Sequence, residues 1–471
     1  MTEPFLRPVA ALEGSATTLV ADPPVLAGPT SHPSPGHPSP SHPSPSHPGH
    51  PSPSHPSPSH PSPLELLLAR GRIRGALTML GPAFVAAIAY VDPGNFATNI
   101  QGGARFGYLL LWVVLAANMI AMLIQYLSAK VGIVADRTLP ELFREQFPRF
   151  MSVGMWVQAE IIAMSTDIAE FVGAALGLNL LFGVPLIWAG AMTGVIAFGI
   201  LELQTHGFRR FELAISGLLG IIFLGFLYET LKIGPSAHES LGGLIPHLTG
   251  TDSLYLAVGI LGATVMPHAI YLHSALTKNR VPVRDSSERA RVLRYEKLDI
   301  VIALGAAGLV NMAMLAVAAK LFNATGHTGV STIQQAYHGF GNQVGGFAAL
   351  AFVVALLASG TSSSSVGTYA GQIVMQGFLR VRVPLMARRA VTMVPAFVVL
   401  AIGVNPTSAL IASQVVLSFG IPFALIPLVM LTRRRDLMGV HVNRLATTIV
   451  GGTLAALITV MNGFLIYQQV S

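Results

Sequence analysis

From Leu64 onward the chain alternates long apolar runs with short polar segments. Each run is about 20 residues, the length an α-helix needs to cross a bilayer. The pattern predicts eleven spanning helices, at 78–104, 108–130, 150–173, 177–203, 211–232, 253–276, 298–320, 345–378, 388–404, 407–432 and 444–468. The eighth run is longer than a bilayer requires, which points to tilt or to extension into the cytoplasm. The expected fold is an all-α polytopic membrane protein, with a tail over 1–63 and a transmembrane domain over 64–471.

The tail is of a different kind. Over 31–63 it is built from Ser, His, Pro and a little Gly. Proline at every second or third position forbids helix and ladder pairing. With no apolar residues to bury, the stretch is expected to be extended and disordered. The charged-then-apolar order of a signal peptide does not precede it. Seven of the fifteen histidines lie here: His32, His37, His42, His47, His50, His55 and His60. They fit either weak, non-stoichiometric metal binding or a low-complexity repeat without chemistry of its own.

Composition points the same way. Hydrophobic residues make up 52% of the 471 positions and charged residues 10%, against about 25% charged in an ordinary soluble protein. A soluble globular enzyme is therefore disfavoured. The absence of cysteine removes disulfides, thiolate metal sites, iron–sulfur clusters and cysteine nucleophiles together. No nucleotide loop, HExxH zinc motif or nucleophile elbow is present, and no enzyme is read. The balance of 28 Lys+Arg against 21 Asp+Glu gives +7, without the clustered basic domain that nucleic-acid binding needs.

The basic residues fall on alternate loops. Arg70, Arg72 and Arg74 precede the first run; Lys130, Arg137, Arg144 and Arg149 flank the second loop; Arg209 and Arg210 follow the fourth run. Lys278, Arg280, Arg284, Arg289, Arg291, Arg294 and Lys297 follow the sixth. Arg380, Arg382, Arg388 and Arg389 separate the eighth and ninth, and Arg433, Arg434, Arg435 and Arg444 the tenth and eleventh. Arg105, Lys232 and Lys320 fall on the other side. The positive-inside rule then puts the N-terminus in the cytoplasm and the C-terminus outside, which requires an odd number of spans.

Two runs are interrupted. The first holds Asp92-Pro93-Gly94-Asn95 in its middle, and the sixth holds Ala263-Thr264-Val265-Met266-Pro267-His268. Proline removes a backbone donor and blocks a carbonyl, and an acid at mid-span costs a few kcal/mol. Such breaks are tolerated only where backbone faces protein or lines a cavity. Five helices separate the two positions, so the second set of five runs upside down relative to the first. That is an inverted repeat, and paired breaks in corresponding helices point to a transporter's binding site.

The breaks free carbonyls, and Ala89 and Ala263 stand three positions before Asp92 and Met266. These oxygens, with Asp92 and Asn95, suit a cation. Met266 is either core filler or a thioether ligand; as a ligand it would favour Mn²⁺, Fe²⁺, Co²⁺ or Cd²⁺ over Ca²⁺ and Mg²⁺, which prefer all-oxygen shells. In the third run Glu160, Asp167 and Glu170 lie near one helix face. They are either structural acids or a proton relay. Arg388 and Arg389 either pair with this stripe or snorkel as topology anchors. His268 and His273 titrate near neutral pH when unperturbed, or are hydrogen-bonded core residues. Gln414 and Asn462 are polar positions with a weak signal. The polar stretch at Ser362, Ser363, Ser364 and Ser365 lines a solvated path or permits close packing.

The DPGN motif with its FATNIQGGARFGY continuation, and MPHAIYLHSAL, resemble the Nramp family of proton-coupled divalent-metal transporters. The segment GQIVMQGFL, at 371–379, is similar to the family's transport-signature region. The resemblance covers about 71–469, and is strongest to the family's bacterial manganese/proton symporters. It implies a LeuT-like fold of two inverted five-helix repeats plus an eleventh helix. It implies metal ligands at Asp92, Asn95 and Met266 with carbonyls of Ala89 and Ala263, joined in some conformations by Gln414. It further implies a proton route from Asp92 through Asp167, Glu170 and His268, with Glu160, toward Arg388 and Arg389. Members that prefer Mg²⁺ or Al³⁺ depart from the methionine motif, which this chain keeps. The His/Pro/Ser tail departs from the family pattern.

The expected function is a secondary transporter in the bacterial inner membrane, importing Mn²⁺ and also Fe²⁺, Cd²⁺ and Co²⁺ with protons. Partners are metal ions, protons and the bilayer, with no cofactor, no nucleic acid and no obligate protein partner. Other readings are a carrier of amino acids or other organic solutes, and an uncoupled receptor or channel. The carboxylate of Asp92 opposes the first by repelling an anionic substrate.

Overall fold

The computed structural model describes residues 80–205, 208–381 and 383–470. The tail with its histidines, Arg70, Arg72, Arg74, Arg382 and the start of the first expected run lie outside the described residues. Within them the regular elements are helical. Helix α1 (Pro82–Ile88) passes into a 3₁₀ turn at Ala89–Val91, and α2 (Pro93–Phe106) begins after an extended Asp92. There follow α3 (Leu111–Ala135), the short α4 (Leu139–Gln146), α5 (Arg149–Phe182), α6 (Leu186–Thr205), α7 (Phe208–Ile233) and α8 (Ala237–Gly242). Helix α9 (Thr251–Thr264) stops before a non-helical Val265 and Met266, and α10 (Pro267–Thr277) starts at the proline. Helix α11 (Ser286–Ala318) ends in a π turn at Ala319–Asn323. The chain closes with α12 (Ile333–Gln343), α13 (Gly346–Leu379), α14 (Leu385–Ala401), α15 (Pro406–Thr432), α16 (Arg435–Met438) and α17 (Leu445–Val470).

Eight helical stretches among the described residues are long and apolar enough to cross a membrane, where the hydropathy pattern suggested eleven. The difference has local causes. Pro93–Ala135 runs from α2 through α3 as one apolar stretch. Pro82–Val91 and Leu186–Glu202 are apolar but shorter, and the 17-residue α14 carries Arg388 and Arg389.

Two boundaries differ from expectation. The break expected at 174–176 falls instead after Phe182, where Gly183 takes a left-handed φ of 68° and Pro185 follows. Glycine is the residue that caps a helix in that conformation, and proline keeps the next residues from continuing it. The seventh run, expected from 298, starts at Ser286, where Asp285 accepts from the N–H groups of Ser287 and Glu288 at 2.8 Å each. That first part is rich in charge, so an apolar pattern does not register it.

Helices α5 and α13 form the spine. Each has 34 residues, about 51 Å at 1.5 Å per residue, longer than the ~30 Å hydrocarbon core. They approach through small residues: a side chain at Gly360 would strike Ala174, and one at Gly367 would strike Glu170. The hydroxyls of Ser362, Ser363 and Ser365 return to carbonyls of their own helix, and all three are buried. Of the two readings of this stretch, close packing describes these three. Away from the core, Trp188, Leu213, Leu224, Val391 and Val460 are exposed, as a lipid-facing surface requires.

The start of α1 is tied down twice. Asp299 Oδ2 accepts from the N–H of Gly81 at 3.1 Å and of Ala83 at 2.9 Å, satisfying donors that a helix start leaves free. Arg209 and Arg280 hold Glu212 at 2.9 and 2.6 Å and both reach the Leu80 carbonyl at 3.4 Å.

Candidate functional site

Asp92 is fully buried where α1 and α2 meet. It caps α2: its Oδ1 accepts from the Asn95 N–H at 2.8 Å, the usual role of an N-cap carboxylate. Asn95, also buried, turns its amide nitrogen to the Tyr90 carbonyl at 2.6 Å and toward the Ala263 carbonyl at 3.4 Å. The Ala263 oxygen belongs to the last turn of α9, where carbonyls lack intrahelical partners. The two interruptions therefore meet through Asn95. Ala89 and Met266 are both buried, the first opening the 3₁₀ turn and the second standing immediately before α10. The neighbouring carbonyls of Tyr90 and Val91 are already engaged, by Asn311 at 2.7 Å and by Ser359 at 2.6 Å.

Gln414 of α15 closes the other side. Its Nε2 donates to Asp92 Oδ2 at 3.3 Å. Two glycines make room for it: a side chain at Gly94 would occupy the place of the Gln414 amide, and one at Gly262 would meet the Gln414 carbonyl. The oxygens Asn95 Oδ1 and Gln414 Oε1 are buried with no hydrogen-bond partner. A carboxylate beside two orphaned amide oxygens is an arrangement short of positive charge. Buried acceptors of this kind are costly unless something satisfies them.

The acidic stripe of α5 is ordered by α14. Arg388 grips Glu160 with both nitrogens, at 3.2 and 2.7 Å. Arg389, almost fully buried, donates to Asp167 at 3.1 Å, to Thr368 at 3.1 Å and to the Ser364 hydroxyl. Both arginines thus pair with the stripe. Glu170 is fully buried and neither oxygen has a partner. It lies three residues before Gly173, against which Pro93 packs, so the stripe comes up to the first interruption. His268 Nδ1 lies 3.3 Å from the Thr166 hydroxyl, next to Asp167, and its Nε2 is unpartnered.

A second polar chain was not legible in the sequence. His273 stands between Gln125 Oε1 and Glu296 Oε1, at 2.8 Å from each, and Gln125 bonds the Tyr90 hydroxyl. Asn99 donates to Asn311 at 3.0 Å, which continues to the Tyr90 carbonyl. Gln125 and Asn311 sit singly in apolar runs and Glu296 in the charged first part of α11, and only the fold assembles them. Asn462 belongs elsewhere, pairing with Ser418 at 2.8 Å. Among the described residues no three or more His, Asp or Glu converge as a resident metal centre would.

An all-α polytopic membrane fold around a buried, acceptor-rich polar site is the architecture of a secondary transporter. The family described as "Natural resistance-associated macrophage protein-like", Nramp, matches residues 83–468, and the chain belongs to it. The "Divalent metal cation transporter MntH" of Deinococcus radiodurans is 50% identical over 396 residues, 84% of this chain and 91% of that protein. Its namesake in Bacillus subtilis is 51% identical over 394 residues, 83% of this chain and 92% of that protein. The crystal structure of the Eremococcus coleocola manganese transporter in complex with an aromatic bis-isothiourea substituted compound superimposes with a TM-score of 0.75 at 32% identity, covering 83% of this chain and 87% of that one. MhsT in complex with L-phenylalanine, at 14% identity and a TM-score of 0.57 over 82% of this chain and 97% of that one, shares the fold alone.

Proposed function

We propose that this protein imports divalent transition-metal ions of the Mn²⁺ type, with Fe²⁺, Cd²⁺ and Co²⁺ as further substrates, across the bacterial inner membrane in symport with protons. The observation that carries the reading is the Asp92 carboxylate flanked by the orphaned oxygens of Asn95 and Gln414. A divalent cation supplies what these acceptors lack. Asp92, Asn95 and Met266 are the proposed ligands, with the carbonyls of Ala89 and Ala263 and, in some conformations, Gln414. The thioether of Met266 disfavours Ca²⁺ and Mg²⁺, whose shells are all oxygen. The names of the relatives, which are divalent metal and manganese transporters, support this assignment.

The proposed proton route leaves Asp92 and follows His268, Glu170 and Asp167 to Arg389, with Glu160 and Arg388 beyond. Support comes from the contact of Pro93 with Gly173 and from the two arginine–carboxylate pairs. The proposed architecture has two inverted five-helix repeats plus an eleventh helix, with α1/α2 and α9/α10 as the interrupted first and sixth helices. The N-terminus is cytoplasmic and the C-terminus outside, in keeping with the arginine-rich loops. The two states of alternating access expose the Asp92 site to opposite sides in turn.

Reconstitution in liposomes tests this directly, with Mn²⁺ uptake and lumenal pH followed together. Saturable uptake that acidifies the lumen and persists in excess Ca²⁺ and Mg²⁺ is expected. Folded protein without Mn²⁺ flux would transfer the site to another substrate.

A further inference from the structure

A recess of about 300 Å³ lies apart from the Asp92 site. It is lined by Gln101 and Arg105 of α2, Asp252 and Leu256 of α9, and Ser408 and Ile411 of α15. These are the three helices that build the site. Gln101 stands six residues after Asn95, Leu256 seven before Ala263, and Ile411 three before Gln414. At 1.5 Å per residue the recess is therefore about 5–10 Å along each helix from the site. In the proposed orientation it opens outward, one turn of α15 from Gln414.

Of the lining residues, Arg105 and Asp252 carry full charge. Arg105 Nη1 and Asp252 Oδ2 stand 3.9 Å apart, with side chains 44% and 78% exposed. That is too long for a hydrogen bond, and so exposed a pair adds little to stability. Each charge also suits its helix end, Arg105 in the last turn of α2 and Asp252 in the first turn of α9, so a helix-end clamp is the alternative. Gln101 gives its amide nitrogen to the Ser331 carbonyl at 3.2 Å, which leaves its oxygen as an acceptor beside the recess.

Resting on the import reading above, we propose that this recess is an electrostatic entry filter for divalent cations. Asp252 receives the incoming ion, the Gln101 oxygen and Ser408 hydroxyl add neutral donors, and Arg105 competes for the same carboxylate. The loose, exposed pair is what such competition needs, because a tight one would shut the entrance. With oxygen donors and no sulfur, the recess gathers cations by charge and leaves discrimination to the deeper site. Carrying charge on the outward side of the site, it acts on capture and not on the later steps.

The test is Mn²⁺ uptake into proteoliposomes by wild type, Asp252→Asn, Arg105→Gln and the double variant, with thermal unfolding as the check on folding. Removing one charge beside a divalent ion in wet surroundings changes its affinity about three- to tenfold. D252N is expected to raise KM by that factor and R105Q to lower it. The double variant returns toward wild type, kcat stays fixed, and the differences shrink at high salt. Single variants that move KM in the same direction, or change kcat at constant KM, would mark a clamp and overturn the filter. Wild type without saturable uptake would overturn the import reading, and the filter with it; wild type that transports beside unchanged variants overturns the filter alone.

Discussion

Gln414 and Asp92, 322 positions apart in sequence, meet at 3.3 Å in the protein interior, and Gly94 leaves the space that lets them do so. A methyl group at Gly94 falls on the Gln414 amide. Gly94→Ala is therefore expected to cut Mn²⁺ uptake by at least about tenfold, the scale of a hydrogen-bonded contact with a charged partner. Adding Gln414→Ala should recover part of the loss. Uptake by Gly94→Ala, Gln414→Ala and the double variant, with thermal unfolding as a control, checks this; equal loss in Gly94→Ala and the double variant would uncouple the two positions.

Met266 tests selectivity. Met266→Ala removes the sulfur and leaves oxygen donors, the shell that Ca²⁺ and Mg²⁺ accept. Competition by these ions should become visible while Mn²⁺ uptake falls by less. A variant that excludes Ca²⁺ and Mg²⁺ as the wild type does would remove the thioether argument.

Asp167 and Glu170 share a helix face but not a role in stability. Asp167→Ala leaves Arg389 buried and unpaired, a change of about 3–5 kcal/mol where a buried pair is broken. A clear fall in unfolding temperature is expected. Glu170 has no hydrogen-bond partner to lose, so Glu170→Gln should unfold near the wild-type temperature. Its effect should appear as less lumenal acidification per Mn²⁺ carried.

Outside the spanning helices, Glu141 forms a capping box with Thr138 and pairs with Lys278 at 2.9 Å. Burial pushes its carboxyl up, but the Thr138 hydrogen bonds and the Lys278 charge together hold it below the ordinary value. A folded-state value below the unfolded one contributes stability above the unfolded value, about 4.3, and loses it as pH falls through the folded one. Glu141→Gln should thus unfold at lower temperature than wild type at pH 7. The gap should close progressively below about pH 4; a gap that is constant with pH would assign the effect to packing.

What the sequence made visible was the unusual. A proline and a carboxylate inside an apolar run cannot be ordinary, so Asp92, Asn95 and Met266 stood out. Acids and arginines inside apolar runs stood out for the same reason, and Glu160–Arg388 and Asp167–Arg389 do pair. Gln125, Asn311 and Glu296 did not, because a single amide in a helix or an acid near its charged end looks unremarkable until the fold joins them. Hydropathy likewise misread the end of α5, where Gly183 and not an apolar gap ends the helix, and the charged first turns of α11. The recess between Arg105 and Asp252 was out of reach, since those residues are 147 apart in sequence.

Asn95 directs both its amide hydrogens at carbonyls, of Tyr90 and Ala263, which fixes its oxygen as the end left for a ligand. That contribution is neutral. Among Asp92, Asn95, Met266 and Gln414 the formal charge is a single negative one, so a dication among them carries a net positive charge through a medium of low dielectric. Membrane voltage acts on such a charge, by about 2.3 kcal/mol per 100 mV for full passage. On the proposed ligand set the occupied pocket is thereby an electrical element as well as a chemical one, and its turnover is expected to carry current.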